Sequence, residues 1–148
     1  MVIGGGGREH ALVWRILRSP LVHRLSVTHL NPGFPSSAFV VEGDPVAYAA
    51  RAGVGLVVVG PEVPLADGIV DRLQAVGVPA FGPTRAAAQL ESSKAYAKQF
   101  LTDEDLPTGA WSVHDDAHSA HAAVRGPCVI KQDGLISRTQ KIKHWGSY

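Results

Sequence analysis

Four consecutive glycines, Gly4 to Gly7, run directly into Arg8, Glu9 and His10. Glycine lets a backbone approach an anion closely, and the free N–H groups of a helix that starts there meet a phosphate or carboxylate. Gly4 and Gly6 stand where the first two glycines of a dinucleotide fingerprint stand, but its third position holds Glu9. The loop therefore reads as an anion site or a plain tight turn, and the missing glycine argues against NAD. A second candidate is Gly60-Pro61-Glu62, which follows the most apolar run in the chain. Ligands of open α/β sheets bind outside the carboxyl ends of the strands. Glu62 there suits either the hydroxyl and amine groups of a ligand or the start of a helix. His114, His118 and His121 recur at i, i+4 and i+7 with Asp115 nearby. That spacing allows zinc ligation, and a solvated polar helix face is the plainer account. Taken singly, Lys94 and Lys131 read as solvated cations.

These residues need elements to position them. Met1-Val2-Ile3 reads as a very short strand that meets the glycines. Ala11, Leu12, Trp14, Ile16 and Leu17 then recur at helical spacing, and Ser19-Pro20 stops that helix. Leu25 to Thr28 reads as a strand and Asn31 to Ser37 as loop. Asp44 and Pro45 open a short helix through Ala52, as N-cap and first helical residue. Gly55 to Gly60 is continuously apolar and β-branched, the pattern of a parallel strand buried on both faces. Pro61 to Leu65 reads as loop. A helix then runs to about Val76 with Ile69, Val70 and Leu73 on one face, and Gly77 ends it. Val78 to Phe81 is a further strand. Strands separated by helices of this length predict βαβ units and a parallel sheet. Beyond it, the pattern predicts a polar-faced helix over Glu91–Leu101, a strand over Trp111–Val113, a helix over Asp115–Val124 and a strand over Gly126–Lys131. No apolar periodicity follows Leu135, and mobility is expected for residues 137–148.

The chain has 148 residues, 45% of them hydrophobic and 18% charged, enough for a packed core. Its formal net charge is +1, which points to neither nucleic acid nor an anionic membrane. The charge is uneven: residues 1–135 are mildly acidic, while Arg138, Lys141 and Lys143 make the last thirteen basic. Cys128 is the only cysteine, which excludes a disulfide within the chain and fits a reducing, cytoplasmic setting. No apolar run approaches the roughly 18–20 residues of a membrane helix, and the polar start does not read as a signal peptide.

Three stretches taken together are far more specific than any one. They are Gly6-Gly7-Arg8-Glu9-His10-Ala11-Leu12, Val58 to Leu65 with Gly68-Ile69-Val70, and Phe81-Gly82-Pro83-Thr84 with Ala88 to Lys94. In this order they resemble the N-terminal part of the phosphoribosylamine–glycine ligase (glycinamide ribonucleotide synthetase) family, as in the first part of the animal trifunctional purine biosynthetic protein. The resemblance spans residues 1 to about 135. It implies an ATP-grasp ligase of de novo purine synthesis that joins phosphoribosylamine to glycine through a glycyl phosphate, using ATP and Mg²⁺.

The fold implied is α/β: a doubly wound, Rossmann-like parallel sheet over residues 1–90, an incomplete ATP-grasp lobe over 91–135, and a divergent basic tail over 136–148. Gly6, Gly7, Arg8 and Glu9 with Gly60, Pro61 and Glu62 would line the phosphosugar side. Lys94 and Lys131 would face ATP phosphates, where a compact cation on a flexible stem is suited.

After Leu135 the family continues with a glycine-rich Ala-Ala-Gly-Lys-Gly-Val loop, where this chain reads Ile136 to Lys143. The family's Pro-Gly-Asn-x-Gly loop is replaced by Asn31-Pro32-Gly33-Phe34-Pro35, and the first strand starts about three residues late. The adenine pocket, the Mg²⁺ carboxylates and the glycine site of the family fall beyond the matching stretch. The expectation is a truncated or frameshifted fragment, inactive alone, with no catalytic or metal-ligating residue of its own and no productive hold on ATP and Mg²⁺. Its expected partner is a small phosphosugar, with neither nucleic acid nor membrane. The alternative is a non-catalytic module that binds a phosphosugar or pairs with a full-length ligase.

Overall fold

Short runs build the first sheet, with buried valine and isoleucine at its centre. In a computed structural model describing residues 1–135 and the backbone of residues 143–145, these runs are β1 (Val2–Ile3), β2 (Ser26–Val27), β3 (Phe39–Val40), β4 (Val57–Val59) and β5 (Ala80–Phe81). They form a five-stranded sheet in the order β3-β2-β1-β4-β5, and every pairing is parallel. Val2 lies opposite Val27 on one side and Val58 on the other. The α/β expectation with a parallel, Rossmann-like sheet holds.

The period-two alternation of strands sends successive side chains to opposite faces, and each face has its own apolar cluster. Ile3, Val57 and Val59 pack with Val46 and Ala49 of α2 (Pro45–Arg51) and with Ile69, Val70 and Leu73 of α4 (Ile69–Ala75). Val2 and Val27 pack on the other face with Val13 of α1 (Gly7–Ile16). Helices on both faces make the sheet doubly wound. Asp44 caps α2 as expected, accepting from the Ala47 N–H at 3.1 Å. It also pairs with Arg72 of α4 at 2.8 Å. Gly77 ends α4 with a φ of 73°.

Several elements differ from the expectation. The inward anchor of α1 is Val13, fully buried, while Trp14 is 51% exposed. The helical spacing is right but its inward face lies one residue away from the tryptophan. Strand β3 was not foreseen: two residues are too short to carry a period, and β3 exists because β2 offers a free parallel edge. Pro61 to Leu65 is not all loop, since α3 (Glu62–Ala66) forms a single helical turn with Pro61 as its N-cap.

The chain divides into two compact units, Met1–Ala88 and Gln89–Tyr148. Helix α5 (Arg85–Ser92) runs through the boundary, and α6 (Lys94–Asp103) follows it. The expected helix over Glu91–Leu101 is thus two helices. The break is Ser93, extended at φ −126° and ψ 117°, whose hydroxyl accepts from the Tyr96 N–H. Trp111–Val113 is not a strand; the Trp111 indole instead donates to the Thr102 hydroxyl at 3.1 Å. Then come α7 (Ala117–Ala123), β6 (Cys128–Ile130) and β7 (Lys143–Trp145), the last two pairing antiparallel. A strand at 143–145 departs from the expectation that the pattern ends at Leu135. The remaining positions of 137–148, for which mobility was expected, lie outside the described residues.

Burial differs between the two units. Among the described residues sixteen hydrophobic side chains are buried, all between Met1 and Ala88. From residue 89 to residue 135 no side chain is buried, and Leu90, Tyr96, Leu106, Val113 and Val129 are exposed.

Truncating Leu73, fully buried beneath the sheet, removes packing that surrounding atoms refill only in part. Leu73→Ala is expected to cost about 2–5 kcal/mol. Phe81→Ala, at a side chain 70% exposed, is expected to cost under about 0.5 kcal/mol. Urea unfolding followed by circular dichroism measures both. Equal losses would contradict the placement of the core.

Candidate functional site

The strand order fixes where a ligand can enter. From β1 the chain winds outward to β2 and β3, then returns to place β4 on the other side of β1. In an open α/β sheet the crevice for ligands lies at such a switch point, outside the carboxyl ends of the strands, and here that is where the loops leaving β1 and β4 stand side by side. The first of these loops holds Gly4 to Gly7 and the second holds Gly60 to Glu62. Both sequence candidates for the phosphosugar side thus meet at one place.

The glycine loop is held from beneath by side chains. Gly4 has a φ of 110°, a region that favours glycine. Its N–H donates to the Thr28 hydroxyl at 2.9 Å. The Gly6 N–H donates to the Glu9 carboxylate at 2.6 Å, which is half of a capping box. Asn31 Nδ2 donates to the Gly5 carbonyl at 2.7 Å and to the Gly6 carbonyl at 3.2 Å, while Asn31 Oδ1 accepts from the Gly33 N–H. Sequence reasoning missed Thr28 and Asn31. The only available signal for Asn31 was its place in a loop that follows a strand.

Arg8 and Glu9 are consecutive, and both reach the β4 loop. Arg8 Nη1 donates to the Gly60 carbonyl at 2.6 Å, and Nη2 pairs with Glu62 Oε1 at 2.8 Å. The Arg8 side chain is still 60% exposed. The Arg8 hydrogen bond holds the Glu62 carboxyl below the usual glutamate range, helped by the backbone N–H at the start of α3. Glu9 is 5% exposed and lies against Gly60. Gly6 and Gly7 are exposed, Gly60 is buried, and Pro61 and Glu62 are half-buried.

Lys94 and Lys131 fall in the second unit. They line one open hollow of about 800 Å³ with Lys98, Val124, Ile130 and Asp133. Lys94 is the first residue of α6, and its Nζ donates to the Gly134 carbonyl at 3.0 Å. Asp133 takes the Lys94 N–H at 2.6 Å, the Ala95 N–H at 3.2 Å and the Ser93 hydroxyl at 2.9 Å. Burial pushes its carboxyl upward, and these hydrogen bonds outweigh that and hold it low.

The histidines do not form the expected helical row. His114 lies ahead of the N-cap Asp116 and shares a hydrogen bond with Ser112, so only His118 and His121 are on α7. Among the described residues no group of three or more His, Cys, Asp or Glu side chains is placed to hold a metal ion.

Residues 1–91 match the family model of the phosphoribosylglycinamide synthetase N domain. Curated relatives extend the likeness. A phosphoribosylamine–glycine ligase of Ralstonia nicotianae is 48% identical over 93% of this chain and 35% of its own length. The ligases of Caulobacter vibrioides and Agrobacterium fabrum are 47% and 44% identical, each over 93% of this chain and 34% of their own length. The chain spans about a third of the length of the curated relatives it matches.

Because Arg8 is the cause of the low Glu62 value, Arg8→Met is expected to move the Glu62 titration upward, toward an ordinary glutamate. The sign follows from linkage: a carboxyl depressed in the folded state stabilises above its unfolded value, and this contribution is lost as pH falls through the folded value. Carbon-detected NMR of the Glu62 carboxyl across the acid range measures the shift. An unchanged midpoint would show that Arg8 does not hold it.

Proposed function

Since the chain belongs to the phosphoribosylglycinamide synthetase N-domain family, we propose that it forms the phosphosugar side of a phosphoribosylamine–glycine ligase. In this reading Gly6, Gly7 and Arg8 with Gly60, Pro61 and Glu62 line the phosphosugar site, and Glu9 is buried behind them. The observation that carries it is the junction made by Arg8, which ties the β4 loop to the start of α1 at the switch point of the sheet. An exposed guanidinium beside the N–H groups of a helix start suits a phosphate. The Glu62 carboxylate, kept ionised by Arg8, suits the hydroxyl or amine groups of the sugar. Neutral pH is where both charges are present.

Lys94 and Lys131 then serve the phosphates of ATP. The hollow they share combines cationic side chains with apolar walls, as a nucleotide requires. Mg²⁺ would supply charge neutralisation at those phosphates when bound, from ligands beyond the described residues. The full reaction, in which ATP activates glycine as an acyl phosphate for attack by the sugar amine, belongs in this reading to the longer relatives. This stretch of 148 residues is inactive alone. A second reading, a module that pairs with a full-length ligase, draws on the apolar side chains exposed between residues 89 and 135. Co-purification with such a ligase that survives deletion of residues 136–148 would favour it.

Ribose 5-phosphate, a stable mimic of phosphoribosylamine, is the probe. Calorimetric titration is expected to show binding that Arg8→Ala abolishes, while ATP, Mg²⁺, glycine and phosphoribosylamine together give no phosphate release. No heat at millimolar ribose 5-phosphate would sink the phosphosugar reading, and measurable turnover would sink the inactivity.

A further inference from the structure

Gly60 is not a glycine for the sake of its backbone. Its φ is not positive, so no left-handed conformation calls for glycine there. What it lacks is room for a Cβ. The three nearest atoms to a Cβ at position 60 are Oε1, Cδ and Cγ of Glu9, with Cδ and Cγ both at 2.7 Å. A side chain on α1 thus dictates the residue type at the end of β4.

Glu9 cannot swing aside at no cost. It is 5% exposed, and its Oε2 takes the Gly6 N–H at 2.6 Å. One end of the carboxylate therefore rests on the loop after β1 and the other on the loop after β4. Arg8, the preceding residue, fastens the same pair of loops from the solvent side through the Gly60 carbonyl. Asn31 holds the Gly5 and Gly6 carbonyls. The amides of Gly5 and Gly7, by contrast, donate to no acceptor among the described residues.

We infer that Glu9 is a positioning residue. It is a buried brace that holds the glycine loop against Gly60, so that the Gly5 and Gly7 amides, Arg8 and Glu62 face one crevice. Its burial sets it apart from Arg8 and Glu62, whose side chains are 60% and 40% exposed. The brace stands on these contacts alone; its bearing on binding rests on the phosphosugar reading above.

The test is a double-mutant cycle with a conservative rescue. Tm is measured for the wild-type chain, Gly60→Ala, Glu9→Ala and the double variant. Ribose 5-phosphate affinity is measured for the wild type, Glu9→Ala and Glu9→Gln. Gly60→Ala is expected to lower Tm by several degrees in the wild-type background and far less in the Glu9→Ala background, where the obstructing atoms are gone. Glu9→Gln keeps an acceptor in capping-box geometry, so its affinity is expected to stay within about twofold of wild type. Glu9→Ala, still folded by circular dichroism, is expected to lose at least about tenfold, the scale of a lost hydrogen bond to a charged group.

Equal costs of Gly60→Ala in both backgrounds would overturn the brace. Equal losses in Glu9→Gln and Glu9→Ala would overturn it too, since the charge itself would then meet the ligand. If Glu9→Ala does not fold, the Gly6 amide proton decides: an upfield shift in Gly60→Ala upholds the brace, and no shift overturns it. If the wild-type chain binds no ribose 5-phosphate, the functional reading fails alone and the Tm cycle still decides the brace.

Discussion

The close approach of the α1 start to the end of β4 is the constraint on which the rest of the site depends. Parallel strands leave their loops at one edge of the sheet, but nothing in a sheet makes two such loops touch. Here two consecutive side chains do so. Arg8 spans the gap by its length, taking a carbonyl and a carboxylate with one planar fork. Glu9 spans it by being buried where position 60 has no side chain. The exposed ion pair contributes little stability of its own; its value is geometric.

The two units rest on different physics. The first has an apolar cluster on each face of its sheet, so its site stands on a scaffold with little freedom. The second has no buried side chain among its described residues and is held by polar ties. Asp133 is the chief of these, closing a forty-residue excursion onto the start of α6. A carboxylate there also matches the positive end of the helix. Polar ties of this sort fix direction well but add little free energy once solvation is counted.

Much of this was legible in the residues. The valine run ending at Gly60, the Asp44-Pro45 helix start and the Gly77 stop each carry a local signal, and each appears where that signal stands. Their places at strand ends put the two loops at one edge of the sheet, but that they touch was not legible there. What escaped the sequence was non-local. Strand β3 needs a neighbour to exist, and the break at Ser93 is sealed by an aspartate from far along the chain. Thr28 and Asn31 act on backbone atoms of another loop, which no spacing rule reports. Glu9 was legible as part of a motif, but its burial was not. The histidine row failed because helical spacing was counted across a helix start.

The strand at the centre of the sheet is also the first to be synthesised. β1 comprises residues 2 and 3, yet one of its two neighbours, β4, begins at residue 57. During vectorial synthesis β1 has only β2 to pair with, and one edge stays open until the chain has grown past β4. At about 5–20 residues per second this wait lasts roughly 3 to 11 seconds. The two-residue length of β1 keeps that open edge short, which limits what a stray strand can seize. The crevice is therefore among the last features of the first unit to be assembled, although half of it is encoded in the first nine residues.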